Sequence, residues 1–398
     1  MREENQLKII CRILENYHLD QPLGRYLKDF YKKHPQMGAR DRRLASGFVY
    51  NYFRIGRSLT DVRLIEKLTI ANFLCSTTSH PLLAYCLDKF TLLGENSMES
   101  SIAEKIKQIQ KLYSTFIPEK IFPFMKHLSD QIDRENFLAS FIRQPKLWIR
   151  IRRGFQDAVG REFIEKNIAY EKDFENPLTC SLANSISLEN TDAYRKGYFE
   201  IQDWSSQQTI RFIEPTAGDT WWDACCGSGG KSLMMADAEP QINIVATDNR
   251  ASILKNLEER FSKVGILNFK AIQTDLTDNV SLSDFFKKHI DKHTEVLADV
   301  PCSGSGTWGR TPEWLIRFDE DSLVHFVSKQ RKLIQGLSLT MCSGGKLVYI
   351  TCSVFKEENE ENVEWITSGT GLNFKESAYI KGFSIEADTM FAAVFTKE

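Results

Sequence analysis

A chain of 398 residues with 42% hydrophobic and 26% charged residues has the length of roughly two or three domains and an ordinary globular composition. A net charge of −2 excludes a uniformly basic protein, and no apolar run reaches the length of a membrane span. The start MREENQLK is too polar for a secretory leader, so a cytoplasmic location and no membrane partner are expected. The nine cysteines follow neither a disulfide framework nor zinc-ligand spacing, so reduced thiols and no metal are expected.

The charge is unevenly placed. Residues 1–60 hold twelve Lys/Arg against six Asp/Glu, and Arg143 to Arg153 carries five basic residues and no acid. Such local basic surfaces suit a phosphate backbone, and a solvated charged face is the alternative. Leu7, Ile10, Leu14 and Tyr17 share one helix face, as do Leu44, Phe48 and Tyr52, with Gly56 closing the second helix. Residues 1–115 therefore read as an all-helical domain. Residues 116–210 read as a small α+β domain, in which LWIRIR (147–152) alternates like a strand with one wet face bearing Arg150 and Arg152.

From residue 211 strands alternate with helices. TWWDACC (220–226), INIVATD (242–248), AIQTD (271–275), EVLADVP (295–301), GKLVYITC (345–352) and FAAVFTK (391–397) read as strands. Ile253 to Val264, closed by Gly265, and Asp321 to Met341 read as helices. The pattern predicts an α/β fold over 211–398, a doubly wound and mostly parallel sheet whose ligands sit beyond the carboxyl ends of the strands.

The motifs lie at those ends. Asp223-Ala-Cys-Cys-Gly227-Ser-Gly229-Gly230-Lys231-Ser232 runs from a strand through a glycine loop into a helix. Glycines permit positive φ and close approach to a ligand. Asp248, eighteen residues past Gly230, could bind both hydroxyls of a ribose. A phosphate-binding loop ending in Gly-Lys-Ser would want glycine at Cys225, which weakens that rival. Asp223 inside the first strand's end suits an amino-acid-bearing nucleoside better than a pyrophosphate. Asp275 closes the third strand and would face a nucleoside's adenine amine, or else serve as a cap. Asp299-Val-Pro301-Cys302-Ser-Gly304-Ser-Gly306 and Thr351-Cys352-Ser353 put a cysteine after each of two further strands. Either cysteine alone reads as a small hydrophobe, but two beside one nucleoside crevice suggest chemistry. The acids Glu357 to Glu361 read as a helix start, where negative charge is favoured.

Together, DACCGSGGK, the TD pairs at 247–248 and 274–275, DVPCSGSGTWGRTPE and GGKLVYITCSVFKEENEENV resemble the ordered motif set of the Sun/Fmu-type RNA cytosine-5 methyltransferases. The likeness runs over residues 200–398, with Gln202, Asp203, Ser205, Ser206 and Gln207 similar to that family's entry into the catalytic domain. The region around Arg40–Arg54 is similar to a helical antitermination-factor-type RNA-binding domain. Four departures stand out: Gly227-Ser228 where the family has Ala-Pro, Val300 for alanine, Gly309 for arginine and Trp204 for an acid.

The resemblance implies a Rossmann-type domain that uses S-adenosyl-L-methionine and acts on RNA. Small-subunit ribosomal RNA is favoured over transfer RNA by the N-terminal likeness. Cys226, Gly227, Ser228, Gly229, Gly230 and Lys231 would hold the cofactor's methionine part, Asp248 its ribose and Asp275 its adenine. Cys352 would attack the base, Cys302 would help release the product, and Asp299 would lie between cofactor and cytosine. The chemistry asks for such groups, because ring carbon 5 of cytosine becomes nucleophilic only after a thiolate adds to ring carbon 6. The base must also leave its stack to reach the crevice. A methyltransferase acting on protein or a small molecule, and a non-catalytic RNA-binding assembly factor, are the competing readings. Both leave the paired cysteines idle.

Overall fold

The computed structural model describes residues 2–398 apart from 92, 94–97 and 291–293. The chain divides into two units. One comprises residues 1–128, 133–144 and 307–319, and the other comprises 129–132, 145–306 and 320–398.

The first unit is helical. Its helices include Arg2–Glu15, Leu23–Lys33, Ala39–Arg54, Leu64–Cys75, Pro81–Phe90, Ile102–Leu112 and Arg134–Ile142. Leu7, Ile10, Leu14, Tyr17 and Phe48 are buried, as their spacing predicts. Gly56 follows the third helix with φ +51°. Arg54, at the end of the third helix, is 2% exposed. One of its guanidinium nitrogens donates to the carbonyls of Phe141, Arg143 and Gly309 at 3.2, 3.2 and 2.8 Å. Trp308, 1% exposed, packs on Phe122, Phe124 and Phe318. The segment after the Cys302 loop therefore belongs to the helical unit, held there by a buried arginine and an aromatic cluster.

The second unit contains two sheets. The smaller is antiparallel with order β2-β3-β1-β4, built from β1 (Leu147–Ile151), β2 (Glu171–Lys172), β3 (Thr179–Leu182) and β4 (Phe199–Ile201). It has its own core of Ile149, Ile151, Val159, Phe163, Leu182 and Phe199. The division 1–115, 116–210 and 211–398 remains a proposal, since the two compact units place residues 116–128 and 133–144 with the helices and the small sheet with the larger one. The wet face expected for LWIRIR is corrected by the structure. Arg150 and Arg152 do point the same way, but Asp237 takes both, at 2.5 and 2.8 Å, and Arg150 also donates to Gln202 at 2.8 Å. With Arg150 only 7% exposed, these charges serve packing rather than a polyanion.

The larger sheet has seven strands: β5 (Thr220–Asp223), β6 (Asn243–Asp248), β7 (Phe269–Gln273), β8 (Thr294–Asp299), β9 (Lys346–Thr351), β10 (Leu372–Lys381) and β11 (Thr389–Lys397), ordered β10-β11-β9-β8-β5-β6-β7. Strands β5 to β9 pair in parallel, and β11 runs antiparallel to β9 and β10. Trp221 and Trp222 point to opposite faces of β5 and are both buried, as a central parallel strand covered by helices requires. The chain steps outward from β5 through β6 to β7, then returns to the other side of β5 with β8 and β9. The topological switch therefore falls between β5 and β8, where such sheets open a ligand crevice.

Candidate active site

The glycine loop leaves β5 at Asp223 and enters the helix Gly230–Ala238. Gly229 is left-handed at φ +80°, and a Cβ there would lie 2.7 Å from Leu257 Cγ, so the turn and the packing both require glycine. Asp223 is buried and accepts from Ser232 Oγ at 2.5 Å. Burial raises its pKa to about 7.

A crevice of about 570 Å³ opens at the strand ends, within the range of small-ligand sites. Asp248, Asp275, Asp299, Cys302 and Cys352 all line it, so five of the expected residues converge. Asp248 accepts from the Arg250 backbone at 2.9 Å and from the Arg250 guanidinium at 2.8 Å on each oxygen. Burial works against its charge, but these donors win and its pKa is lowered. Asp275 accepts from the Thr277 hydroxyl and backbone at 2.6 and 2.9 Å, which lower its pKa. It thus combines the local turn of the bland reading with a place on the crevice wall.

The glycine loop contributes differently. Ala224 and Cys225 line the crevice, whereas Cys226 is buried with its thiol on the Gly227 carbonyl at 3.4 Å. Ser228 accepts from Arg260 at 2.8 and 3.1 Å. Lys231 is buried and donates to Asp299 Oδ2 at 2.7 Å. Burial is the largest single influence and pulls the ammonium's pKa down, yet the Asp299 charge and hydrogen bond together with Cys352 and Asp223 outweigh it, and the net shift is upward. Sequence reasoning missed Arg250, Thr277, Lys329 and Leu333, which also line the crevice. Arg250 and Thr277 each sit two residues after a motif acid, and that spacing could have found them.

The two thiols meet: Cys302 Sγ lies 3.3 Å from Cys352 Sγ. The hydrogen bond with Cys352, then burial, hold the Cys302 thiol well above the ordinary cysteine range. Below them the loops after β8 and β9 are joined. Gly306 N–H donates to the Cys352 carbonyl at 2.9 Å, and Ser305 Oγ lies 3.0 Å from Ser353 Oγ. A Cβ at Gly306 would lie 2.1 Å from the Thr389 carbonyl oxygen, so only glycine allows this closure.

A parallel sheet with its crevice at the switch point, acids at successive strand ends and a glycine loop define a Rossmann-type domain. Residues 210–377 match the family described as 16S rRNA methyltransferase RsmB/F. It is 27% identical over 225 residues to ribosomal RNA small subunit methyltransferase B of Pasteurella multocida, covering 56% of this chain and 50% of that protein. It is 28% identical over 210 residues to the 28S rRNA (cytosine(4447)-C(5))-methyltransferase of Homo sapiens, covering 50% of this chain and 25% of that protein. The chain thus spans about half the length of the bacterial relatives it matches. The fold is shared with the protein PH0851, at a TM-score of 0.73 and 18% identity over 98% of each chain.

Proposed function

We propose that the chain methylates ring carbon 5 of a cytosine in RNA, using S-adenosyl-L-methionine and a covalent cysteine–cytosine intermediate. The observation that carries this reading is the pair of thiols 3.3 Å apart on the wall of a crevice that also holds three strand-end carboxylates. The carboxylates and the crevice volume fit the cofactor. Asp248 would take the ribose, Asp275 the adenine amine, and Cys226 to Lys231 would frame the methionine part. When bound, the cofactor supplies the methyl group.

The chain's own residues do the rest. The Cys352 thiol gives its proton to water, and its sulfur adds to ring carbon 6 and makes carbon 5 electron-rich. Asp299, held in place by Lys231, shares a proton with the base's ring nitrogen, which gains electron density as addition proceeds. After methyl transfer the proton on carbon 5 passes to water, and its electron pair re-forms the 5,6 double bond as the carbon 6–sulfur bond breaks and its electrons leave on sulfur. The departing Cys352 sulfur takes the Cys302 proton across the 3.3 Å gap, and Cys302 regains a proton from water.

The family match and the relatives' names support ribosomal RNA as the substrate class, and small-subunit RNA is the specific reading. RNA affinity is assigned to the basic helical region, where Arg40 and Arg43 are exposed. A cytoplasmic location completes the proposal. Methyl-labelled cofactor, incubated with total RNA, protein and metabolite fractions from cells lacking the protein, tests it. Label should enter RNA alone, and bisulfite sequencing should place it on cytosine. Label in protein or metabolites, or none anywhere, would overturn the proposal.

A further inference from the structure

Glu358, among the acids read from sequence as a helix start, does not face solvent. It is fully buried behind the two cysteines. One carboxylate oxygen accepts from the Ser303 backbone at 2.8 Å and from Gln330 Nε2 at 2.9 Å. The other accepts from the Ser303 hydroxyl. Gln330, also fully buried, spends the same Nε2 group on the Pro301 carbonyl at 3.0 Å. The carbonyl before Cys302 and the N–H after it are therefore both gripped by this one pair. The neighbouring Asn359 does the corresponding work for the other loop, donating to the Ser353 carbonyl at 2.9 Å and accepting from Thr351 Oγ1 at 2.6 Å. Ser303 Oγ lies 3.2 Å from Ser353 Oγ, so the two grips are tied together.

A buried carboxyl is costly unless satisfied. A leucine-lined core would hold these strand ends at lower cost, so the polar pair needs a reason. Its geometry supplies one: every hydrogen bond it makes to backbone falls on a peptide flanking Cys302. We propose that Glu358 and Gln330 are positioning residues that clamp Cys302 against the Cys352 sulfur for release of the methylated base. This rests on the reading of the preceding section. It predicts that losing the clamp spares attack and methyl transfer and slows the breaking of the carbon 6–sulfur bond.

The test uses the full chain, methyl-labelled S-adenosyl-L-methionine and total RNA from cells lacking the protein. Glu358→Ala should raise the fraction of protein trapped on RNA in a denaturing gel about tenfold, with cofactor affinity unchanged. Glu358→Gln keeps an acceptor for the Ser303 N–H and a donor for the Ser303 hydroxyl, and should return trapping to within about threefold of wild type. In a Cys302→Ala background, Glu358→Ala should add nothing. A second readout needs no catalysis: iodoacetamide labelling of Cys302 relative to Cys352, read by mass spectrometry, should rise about tenfold in Glu358→Ala as the loop loosens. If Glu358→Ala does not fold, Gln330→Ala removes the grip on Pro301 and one donor to Glu358 while leaving the Glu358–Ser303 contacts, and should shift both readouts the same way, by about threefold.

Wild-type trapping together with wild-type labelling overturns the proposal. So does a loss of activity that tracks lost cofactor binding and is not rescued by glutamine, because the network would then be scaffold alone. If wild type methylates no RNA, the preceding reading fails separately, and the labelling ratio still decides whether the clamp exists.

Discussion

Asp299→Ala would leave the Lys231 ammonium buried without its partner. The Lys231 side chain is 9% exposed and that of Asp299 is 31% exposed, with 2.7 Å between them. Removing one member of a buried pair costs about 3–5 kcal/mol, and partial solvent access at Asp299 reduces this to about 2–3 kcal/mol. The sign of the pH dependence follows from the shift. In wild type burial lowers the Lys231 pKa, but Asp299, with smaller help from Cys352 and Asp223, outweighs it and the pKa is raised. The pair's stabilisation is therefore complete below the unfolded lysine pKa of about 10.4 and is lost only as pH rises through the folded value. In Asp299→Ala burial, the largest influence, is opposed only by the smaller effects of Cys352 and Asp223 and depresses the Lys231 pKa, so the folded state sheds that proton more readily than the unfolded one. The variant's deficit should shrink as pH rises from 7 to 10. Urea denaturation followed by tryptophan fluorescence at several pH values measures this, since Trp221 and Trp222 lie in adjacent β5. Lys231→Met combined with Asp299→Ala should recover more than half of the loss. A deficit below about 0.5 kcal/mol, flat with pH and additive in the double variant, would refute the reasoning.

Asp248→Ala should weaken cofactor binding by about 1–3 kcal/mol in calorimetry, because charge-assisted bonds to the ribose are lost. Arg250→Ala should act oppositely, tightening binding about two- to fivefold, because Arg250 occupies both carboxylate oxygens at 2.8 Å and must yield to the ribose. Gly306→Ala should lower the thermal midpoint by several degrees, about 1–3 kcal/mol of overpacking, since its Cβ would fall 2.1 Å from the Thr389 oxygen. Arg40→Glu with Arg43→Glu should weaken RNA binding and flatten its salt dependence by about two phosphate contacts, leaving cofactor affinity unchanged. An unaltered salt slope would detach the helical unit from RNA.

The periodic parts of the fold were legible because one local pattern determined them. The alternating strands and helices from 220 onward, and the acids that end β5, β6 and β8, fall where the pattern places them. What escaped depended on long-range partners. Arg150 and Arg152 read as a wet face because nothing nearby announces Asp237, more than eighty residues later. The role of Arg54 was not legible because its acceptors at Phe141, Arg143 and Gly309 come from distant segments. Glu358 looked like any acid at a helix start, and Glu360 and Glu361 do fill that place in the helix Glu360–Gly369. Only the fold distinguishes a charge turned to the cysteines from charges on a helix end. The antiparallel strand β10 also went unread, because its residues 373–377 are exposed and show no apolar alternation.

The most direct test of the central claim is a denaturing gel of the two single cysteine variants after incubation with RNA and methyl-labelled cofactor. Cys352→Ala should form no adduct and transfer no methyl group, because the attacking sulfur is gone. Cys302→Ala should accumulate protein covalently bound to methylated RNA, because attack and transfer proceed while release stalls. The double variant should show no adduct. Adduct from Cys352→Ala and none from Cys302→Ala would reverse the assignment of nucleophile. Full activity in both single variants would contradict the two-thiol mechanism outright.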